Sequence, residues 1–270
     1  MNIKQITSQL TPNQVWNLIP KTELAQPRPV IRPNFNCPGF PHQLKRFLQN
    51  EELEQLPHFT YRGKINLIEN IEQAQQAIAH LLKEQYVGFD TQPYSKYNVD
   101  QLTDVTHVII ADKQEVYIFY IKILKGISSL IPLLSVEIPQ KICIRQGIKK
   151  QIDLRFIQDF EPKGFTHLTF ATTQIGIMNY GLYQICGNLL GIKVIADVTE
   201  NYEYDWTRYP LPEGQITYAS TNVWVTRWSW ESIWVYQSKG LSLLPINYQQ
   251  KTDKRQSKGY KGFSVEDEDV

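Results

Sequence analysis

The chain is poor in the side chains that build metal and redox sites: 270 residues carry three cysteines, two methionines and five histidines. Cys37, Cys143 and Cys186 lie far apart and form no CxxC or CxH pair. That spacing argues against a zinc ribbon and a disulfide framework, and it predicts reduced thiols inside a cell. His42, His58, His80, His107 and His167 are scattered without the HExxH spacing of a helical zinc site. Long hydrophobic runs are missing as well, and none reaches the roughly 18 residues a membrane span needs. The richest stretch, 105–134, is broken by Asp112, Lys113, Glu115, Lys122, Lys125 and Pro132. The start of the chain has no apolar h-region, so a secretory signal is not expected there. Nor is there an excess of one charge: 28 Lys and Arg stand against 27 Asp and Glu. Neither a nucleic-acid-coating nor an acidic protein is implied.

What is present has the composition of a folded protein. Hydrophobic residues make up 42% and charged residues 20%, enough for a sizeable core. Three segments separate. Residues 1–60 are rich in Pro and Asn and read as an extended arm with a short helix near Pro41–Leu56. Lys4, Lys21, Arg28, Arg32, Lys45 and Arg46 face a single acid, Glu23, in the first 50 residues, but Pro20, Pro27, Pro29, Pro33, Pro38 and Pro41 oppose an amphipathic targeting helix. Trp16, Leu18, Phe35 and Phe40 give the arm apolar anchors and no core of its own, so it needs a surface to lie on. Residues 61–240 alternate apolar runs with helical patterns. Residues 241–270 hold Lys251, Lys254, Arg255, Lys258 and Lys261 followed by 266–269, all acidic, and read as a solvated tail.

The middle segment predicts an α/β fold, a mixed sheet flanked by helices. Strands are expected at Lys64–Ile68, Tyr86–Asp90, Val105–Ala111, Glu115–Ile121 and Lys141–Ile144, with Asp112, Lys113 and Gln114 as a hairpin turn. Asn70 is placed to cap a helix from Ile71 to about Gln85, with Gln73 completing a capping box. Further helices are expected at Ile127–Leu134, from Gly147 to about Phe160, at Tyr180–Leu190 with Gly191 as its stop, and from Glu213 through Trp234.

Four stretches carry a resemblance. Val87-Gly-Phe-Asp-Thr91 ends a strand; Lys141 to Asp153 holds a strand followed by Gly147-Ile148; Gly181-Leu-Tyr-Gln-Ile-Cys-Gly-Asn-Leu-Leu-Gly191 forms a helix; and Asp205 to Asn222 contains Trp206, Pro210, Leu211, Gln215, Tyr218 and Ala219. In this order they resemble the motifs of the ribonuclease D/Werner-exonuclease family of DEDDy 3′–5′ exonucleases, over about Tyr61 to Tyr236. The resemblance implies a ribonuclease H-like sheet. It also implies a two-metal nuclease centre, in which four carboxylates hold two Mg or Mn ions about 4 Å apart and a tyrosine orients the water.

Carried over residue by residue, that centre falls on Asp90, Gln92, Gln151 and Asn222, with Tyr218 as the tyrosine. Three of the four acids are therefore amides. Magnesium seeks anionic oxygen, so the resemblance implies a site with no metal, no cofactor and no catalysis. Asp153 is two residues past Gln151, about 200° around the same helix. Asp197, Glu200, Glu203 and Asp205 lie in the loop before the last motif, where rescue is not expected.

The expected role is that of a pseudoenzyme, a structural or scaffolding subunit with protein partners inside a larger assembly. Two alternatives stay open: a non-cleaving RNA- or DNA-binding module, and an active exonuclease with an atypical metal site. Residues 61–240 hold 17 Lys and Arg against 18 Asp and Glu, a net of −1, which disfavours phosphate binding. Lys141, Arg145, Lys149 and Lys150 form the one basic cluster near the site rim, a candidate phosphate contact or a solvated helix face. Trp206, Trp224, Trp228, Trp230 and Trp234 could stack bases, but their helical neighbours Val223, Val225 and Ile233 favour core or a protein contact. The expected compartment is intracellular, with nucleus and mitochondrion both open.

Overall fold

A computed structural model describes residues 44–93, 105–144, 154–155, 157–194 and 205–238. The six-stranded sheet has the order β2-β5-β4-β3-β6-β7. Its strands are β2 (Lys64–Ile68), β3 (Tyr86–Pro93), β4 (Val105–Ala111), β5 (Glu115–Tyr120), β6 (Gln140–Cys143) and β7 (Phe165–His167). β3, β4 and β5 form an antiparallel meander, while β2 joins β5, β6 joins β3 and β7 joins β6 in parallel. The mixed sheet expected from the sequence is thus the one observed.

Several elements follow from their local sequence. β4, Val-Thr-His-Val-Ile-Ile-Ala, is buried along its whole length. A β-branched run of this kind suits a central strand covered on both faces. Asp112 makes the following turn: its Oδ1 accepts the N–H groups of Gln114 (2.6 Å) and Glu115 (2.7 Å). Helix α2 (Ile71–Leu81) buries Ala74, Ala77, Ile78 and Leu81, an i, i+3, i+4, i+7 stripe. Asn70 Oδ1 accepts the Gln73 N–H at 2.9 Å as expected, but the Gln73 side chain accepts from Glu69 N–H (3.0 Å), one residue before the cap. The helix stops at Leu81, short of the expected Gln85.

The sheet has two differently built faces. On one, Val87, Phe89, Val108, Ile110, Tyr117 and Phe119 pack with α2 and with the 121–134 segment, of which Ile131–Leu134 is helical (α3). The other face carries α4 (Leu168–Gln174), α5 (Leu182–Leu190) and the 26-residue α6 (Glu213–Ser238). α6 crosses β3 to β6 and packs on α4 and α5. Gly191 ends α5 with φ 65°, a left-handed C-terminal residue that glycine adopts without Cβ strain. β7 and α4 are not expected from the sequence. The helix expected from Gly147 lies mostly outside the described residues.

The arm boundary moves. Residues 44–60 pack with the domain rather than extending from it: Leu44, Leu48, Leu53 and Phe59 are buried. The short helix α1 (Asn50–Glu54) and β1 (His58–Phe59) hold this strap, and β1 pairs in parallel with β8 (Lys193–Val194). Lys45 N–H donates to Asn188 Oδ1 (2.9 Å), and Leu48 N–H to Asn179 Oδ1 (2.8 Å). These long-range partners, which a composition shift does not reveal, bring the domain start back to at least Leu44. Trp16, Leu18, Phe35 and Phe40, and the 241–270 tail, lie outside the described residues.

Candidate functional site

The site begins with a glycine. A Cβ on Gly88 would sit 2.2 Å from the Val223 carbonyl oxygen and 3.1 Å from Arg227 Cβ. Strand β3 and helix α6 therefore touch backbone to backbone, and only the residue without a side chain permits it. Strand alternation then turns Asp90 toward the same face as Gly88, two residues on. On α6, Tyr218, Asn222 and Thr226 recur every four residues and form one stripe.

These residues meet at a cleft of about 320 Å³. Its lining includes Asp90 and Phe89 from β3, Tyr218, Asn222 and Thr226 from α6, and Tyr180, Leu182 and Tyr183 around the start of α5. Asp90 is half-buried, and its Oδ1 accepts the Thr91 N–H at 2.9 Å. Asn222 is 8% exposed, and its side-chain oxygen is fully buried with no hydrogen-bond partner among the described residues. A buried carbonyl left without a donor costs about 1–3 kcal/mol. The carbonyl behind it does better: Thr226 Oγ1 donates to Asn222 O at 2.7 Å.

Of the expected site residues, the structure brings Asp90, Asn222 and Tyr218 together. Gln92 is buried beside them on β3 but is not part of the cleft wall; its carbonyl accepts from Thr106 Oγ1 (3.1 Å). Its cross-strand partner is His107, which burial pushes down to about 4. His107 Nδ1 meets Thr106 Oγ1 at 2.9 Å, and its Nε2 has no partner. Gln151 and Asp153 lie outside the described residues, as do Asp197, Glu200 and Glu203. Asp205 is engaged elsewhere: it accepts the Thr207 N–H (2.9 Å), bonds the Thr207 hydroxyl, and is drawn below its usual range mainly by these bonds. Gln215 Nε2 in turn donates to Asp205 O (3.2 Å), tying that loop to α6.

The basic rim cluster loses a member. Lys141 is fully buried in β6, with its ammonium donating to the Leu133 and Val136 carbonyls and lying 5.4 Å from the Phe165 ring centroid. Burial pushes it down to about 8. A lysine enclosed by its own fold does not reach a phosphate at the surface. Arg145, Lys149 and Lys150 lie outside the described residues. The tryptophans are core: Trp206, Trp224, Trp228 and Trp230 are each at most 5% exposed, and Trp234 is half-buried. Trp224 packs on Tyr61 (4.7 Å between centroids), Trp228 on Phe59 (5.7 Å) and Trp206 on His107 (6.0 Å). Reading the sequence missed Tyr180, Tyr183 and Thr226 as cleft residues. Thr226 carries a signal in its spacing, four residues beyond Asn222.

A 3′-5′ exonuclease family model matches residues 65–234, well over half of the chain. The chain belongs to the 3′-5′ exonuclease family. The match spans both β3, with Asp90, and the stripe on α6, so the cleft lies within the exonuclease domain. Solved exonuclease structures share its fold. The EXO domain of Aedes aegypti Nibbler superposes with a TM-score of 0.58 at 13% identity, covering 72% of this chain and 98% of that one. Escherichia coli RNase D, an exoribonuclease involved in structured RNA processing, gives 0.55 at 14% identity over 73% of this chain and 52% of that one. Trypanosoma brucei RNase D in complex with RNA U12 gives 0.52 at 15%, over 82% and 77%. The chain thus spans about half of the E. coli RNase D structure. A search of curated protein sequences returns no match. No helix among the described residues is long and apolar enough to cross a membrane.

Proposed function

We propose that this exonuclease-family protein is catalytically inactive and serves as a structural, protein-binding subunit of a larger assembly. The observation that carries the reading is Asn222: a buried amide, with no partner for its oxygen, at the position where the family pattern has a metal-binding Asp. The donor set does not fit two divalent ions. Four carboxylates offset the +4 of two such ions, whereas Asp90 alone leaves +3 uncompensated. Amide carbonyls at 92, 151 and 222 keep size and polarity but not charge, and hard cations select anionic oxygen. Among the described residues, no three His, Cys, Asp or Glu side chains gather where a metal would be held. No reaction step is routed through a metal here.

Labelled single-stranded RNA and DNA incubated with the full chain and magnesium or manganese provide the test. The expected result is no shortening. Progressive 3′ shortening that disappears in Asp90→Ala would overturn the proposal. The triple change Gln92→Glu, Gln151→Asp and Asn222→Asp is expected to restore metal binding by calorimetry, because the backbone contact at Gly88 keeps the site's two main walls in place. A second reading, non-cleaving nucleic-acid binding, has support from the cleft's exposed Tyr180 and from the RNA U12 seen on the T. brucei relative. It predicts an affinity for single strands that falls steeply with salt.

A further inference from the structure

We propose that β2 is a dimerisation edge, where the strand pairs antiparallel with β2 of a second copy of this chain. The proposal goes beyond the inactive-enzyme reading and does not depend on it. The six-stranded sheet ends on β2 at one side and on β7 at the other. β7 is three residues long and runs straight into α4, so it offers little to pair with. β2 spans five residues, Lys64–Ile68, and its one strand neighbour is β5. An edge strand presents a row of N–H and C=O groups without a ladder partner. On β2 the Lys64 carbonyl accepts from the Tyr61 hydroxyl at 3.1 Å, and nothing else among the described residues bonds that outer row. Edges are commonly blunted by an inward charge, a proline or a bulge. Ile65, Asn66 and Leu67 supply none of these, and the register with β5 is unbroken.

The strand's own sequence selects the occupant. Antiparallel pairing centred on Asn66 sets Ile65 of each copy opposite Leu67 of the other, about a two-fold axis. Opposed residues share a face of the sheet, so these half-buried aliphatic side chains meet in one strip. Asn66 and Ile68 lie on the other face, where Ile68 packs with α2 and Asn66 Nδ2 donates to Glu115 at 2.8 Å. The two ends of the strand differ in charge. Lys64 is taken by Glu115 at 3.1 Å, but Arg62 is exposed and meets no acid among the described residues. Glu69 follows the strand; its carboxylate bonds the Tyr209 hydroxyl and keeps further lone pairs for a second donor. An antiparallel copy brings Arg62 near the other copy's Glu69, whereas a parallel copy sets like against like. A contact of two short strands is small beside the roughly 1,200–2,000 Å² of a standard interface, so the dimer is weak and forms with concentration.

Sedimentation of the full chain over a concentration series reads the mass, and hydrogen exchange along the same series reads the place. The expected result is a mass that climbs toward twice the monomer's. Exchange at 65–67 should slow as it climbs, while exchange at 165–167 stays unchanged. Ile65→Lys alone and Leu67→Glu alone should each weaken association about tenfold or more, because each sets an unpaired charge against an aliphatic side chain. Mixed, the two variants should associate again, since the new charges then oppose each other with opposite sign. A chain that stays monomeric at its highest soluble concentration overturns the proposal. So does a dimer that protects another strand, one untouched by Ile65→Lys, or a mixture of the two variants that stays apart. If either variant fails to fold, the exchange pattern of the unaltered chain still decides. None of these readouts involves metal or nucleic acid, so their failure is separate from that of the inactive-enzyme reading, which rests on the shortening assay.

Discussion

The two ends of the β3–α6 contact hold polar side chains, and they differ in how far those side chains bond one another. At the Tyr86 end three side chains bond one another, although Arg227 Nε is buried with no hydrogen-bond partner among the described residues. Arg227 Nη1 donates to Glu231 Oε2 at 3.2 Å, its guanidinium lies 4.9 Å from the Tyr86 ring centroid, and the Tyr86 hydroxyl donates to Glu231 Oε1 at 3.0 Å. At the Asp90 end, four residues along β3, the Asn222 oxygen is buried without a hydrogen-bond partner among the described residues, on a side chain that lines the cleft. A buried pair that answers itself belongs to the architecture. The same strand and helix thus carry a closed site and an open one, and burial alone does not tell them apart.

Breaking the closed end should have the largest effect. Glu231→Leu strands the Arg227 charge in the core and is expected to cost about 3–5 kcal/mol in urea unfolding. A loss below about 1 kcal/mol would mean that the pair is solvated and the contrast false. Next comes pH, acting near the open end through His107. Its folded value, about 4, lies below the 6.5 of an ordinary histidine. Between those values the unfolded chain binds the proton and the folded chain does not, so stability falls as pH drops from 6.5 to 4 and levels off below that. The expected loss is on the order of 3 kcal/mol at 1.36 kcal/mol per unit, and it should be absent in His107→Phe. A wild-type profile flat over that window would show that the ring reaches water.

Gly88→Ala tests what the two ends share. The added methyl meets the Val223 carbonyl, so strand and helix must separate at a cost of about 1–3 kcal/mol. Both ends should suffer together, with hydrogen exchange rising at Tyr86 as well as at Asp90. Exchange confined to one end would show that they are not coupled through this contact. The smallest effect is expected from Asn222→Leu. Removing an acceptor that has no donor should change stability by less than about 1 kcal/mol, or increase it. A loss above about 2 kcal/mol by thermal unfolding would mean that the amide is bonded within the fold.

Much of this was legible in the sequence because it is local. Alternation and β-branched runs announced β2 to β6, Asn70 announced a helix start, and Gly191 a helix stop. Asp90, Tyr218 and Asn222 could be brought together because motif order and helical spacing place them. What escaped depends on contacts distant in sequence. The strap at 44–60 is held by Asn179 and Asn188, well over a hundred residues on. Lys141 looks like surface because charge usually is; a fold in which two carbonyls accept from its ammonium reverses that rule. β7 is three residues long, too short to show a period. Tyr180 and Tyr183 look like any helix-flanking aromatics until α6 is laid opposite them.

The contact at Gly88 bears on how such a protein ages. Where two walls are held apart by side chains, exchanging those side chains lets the walls slump together. Here the gauge is main chain against main chain, and no exchange of an acid for its amide alters it. An exchange of acid for amide at 90, 92 or 222 therefore leaves the spacing of strand and helix at Gly88 as it is. The same gauge means that acids placed at 92 and 222 should be accepted without the scaffold being rebuilt.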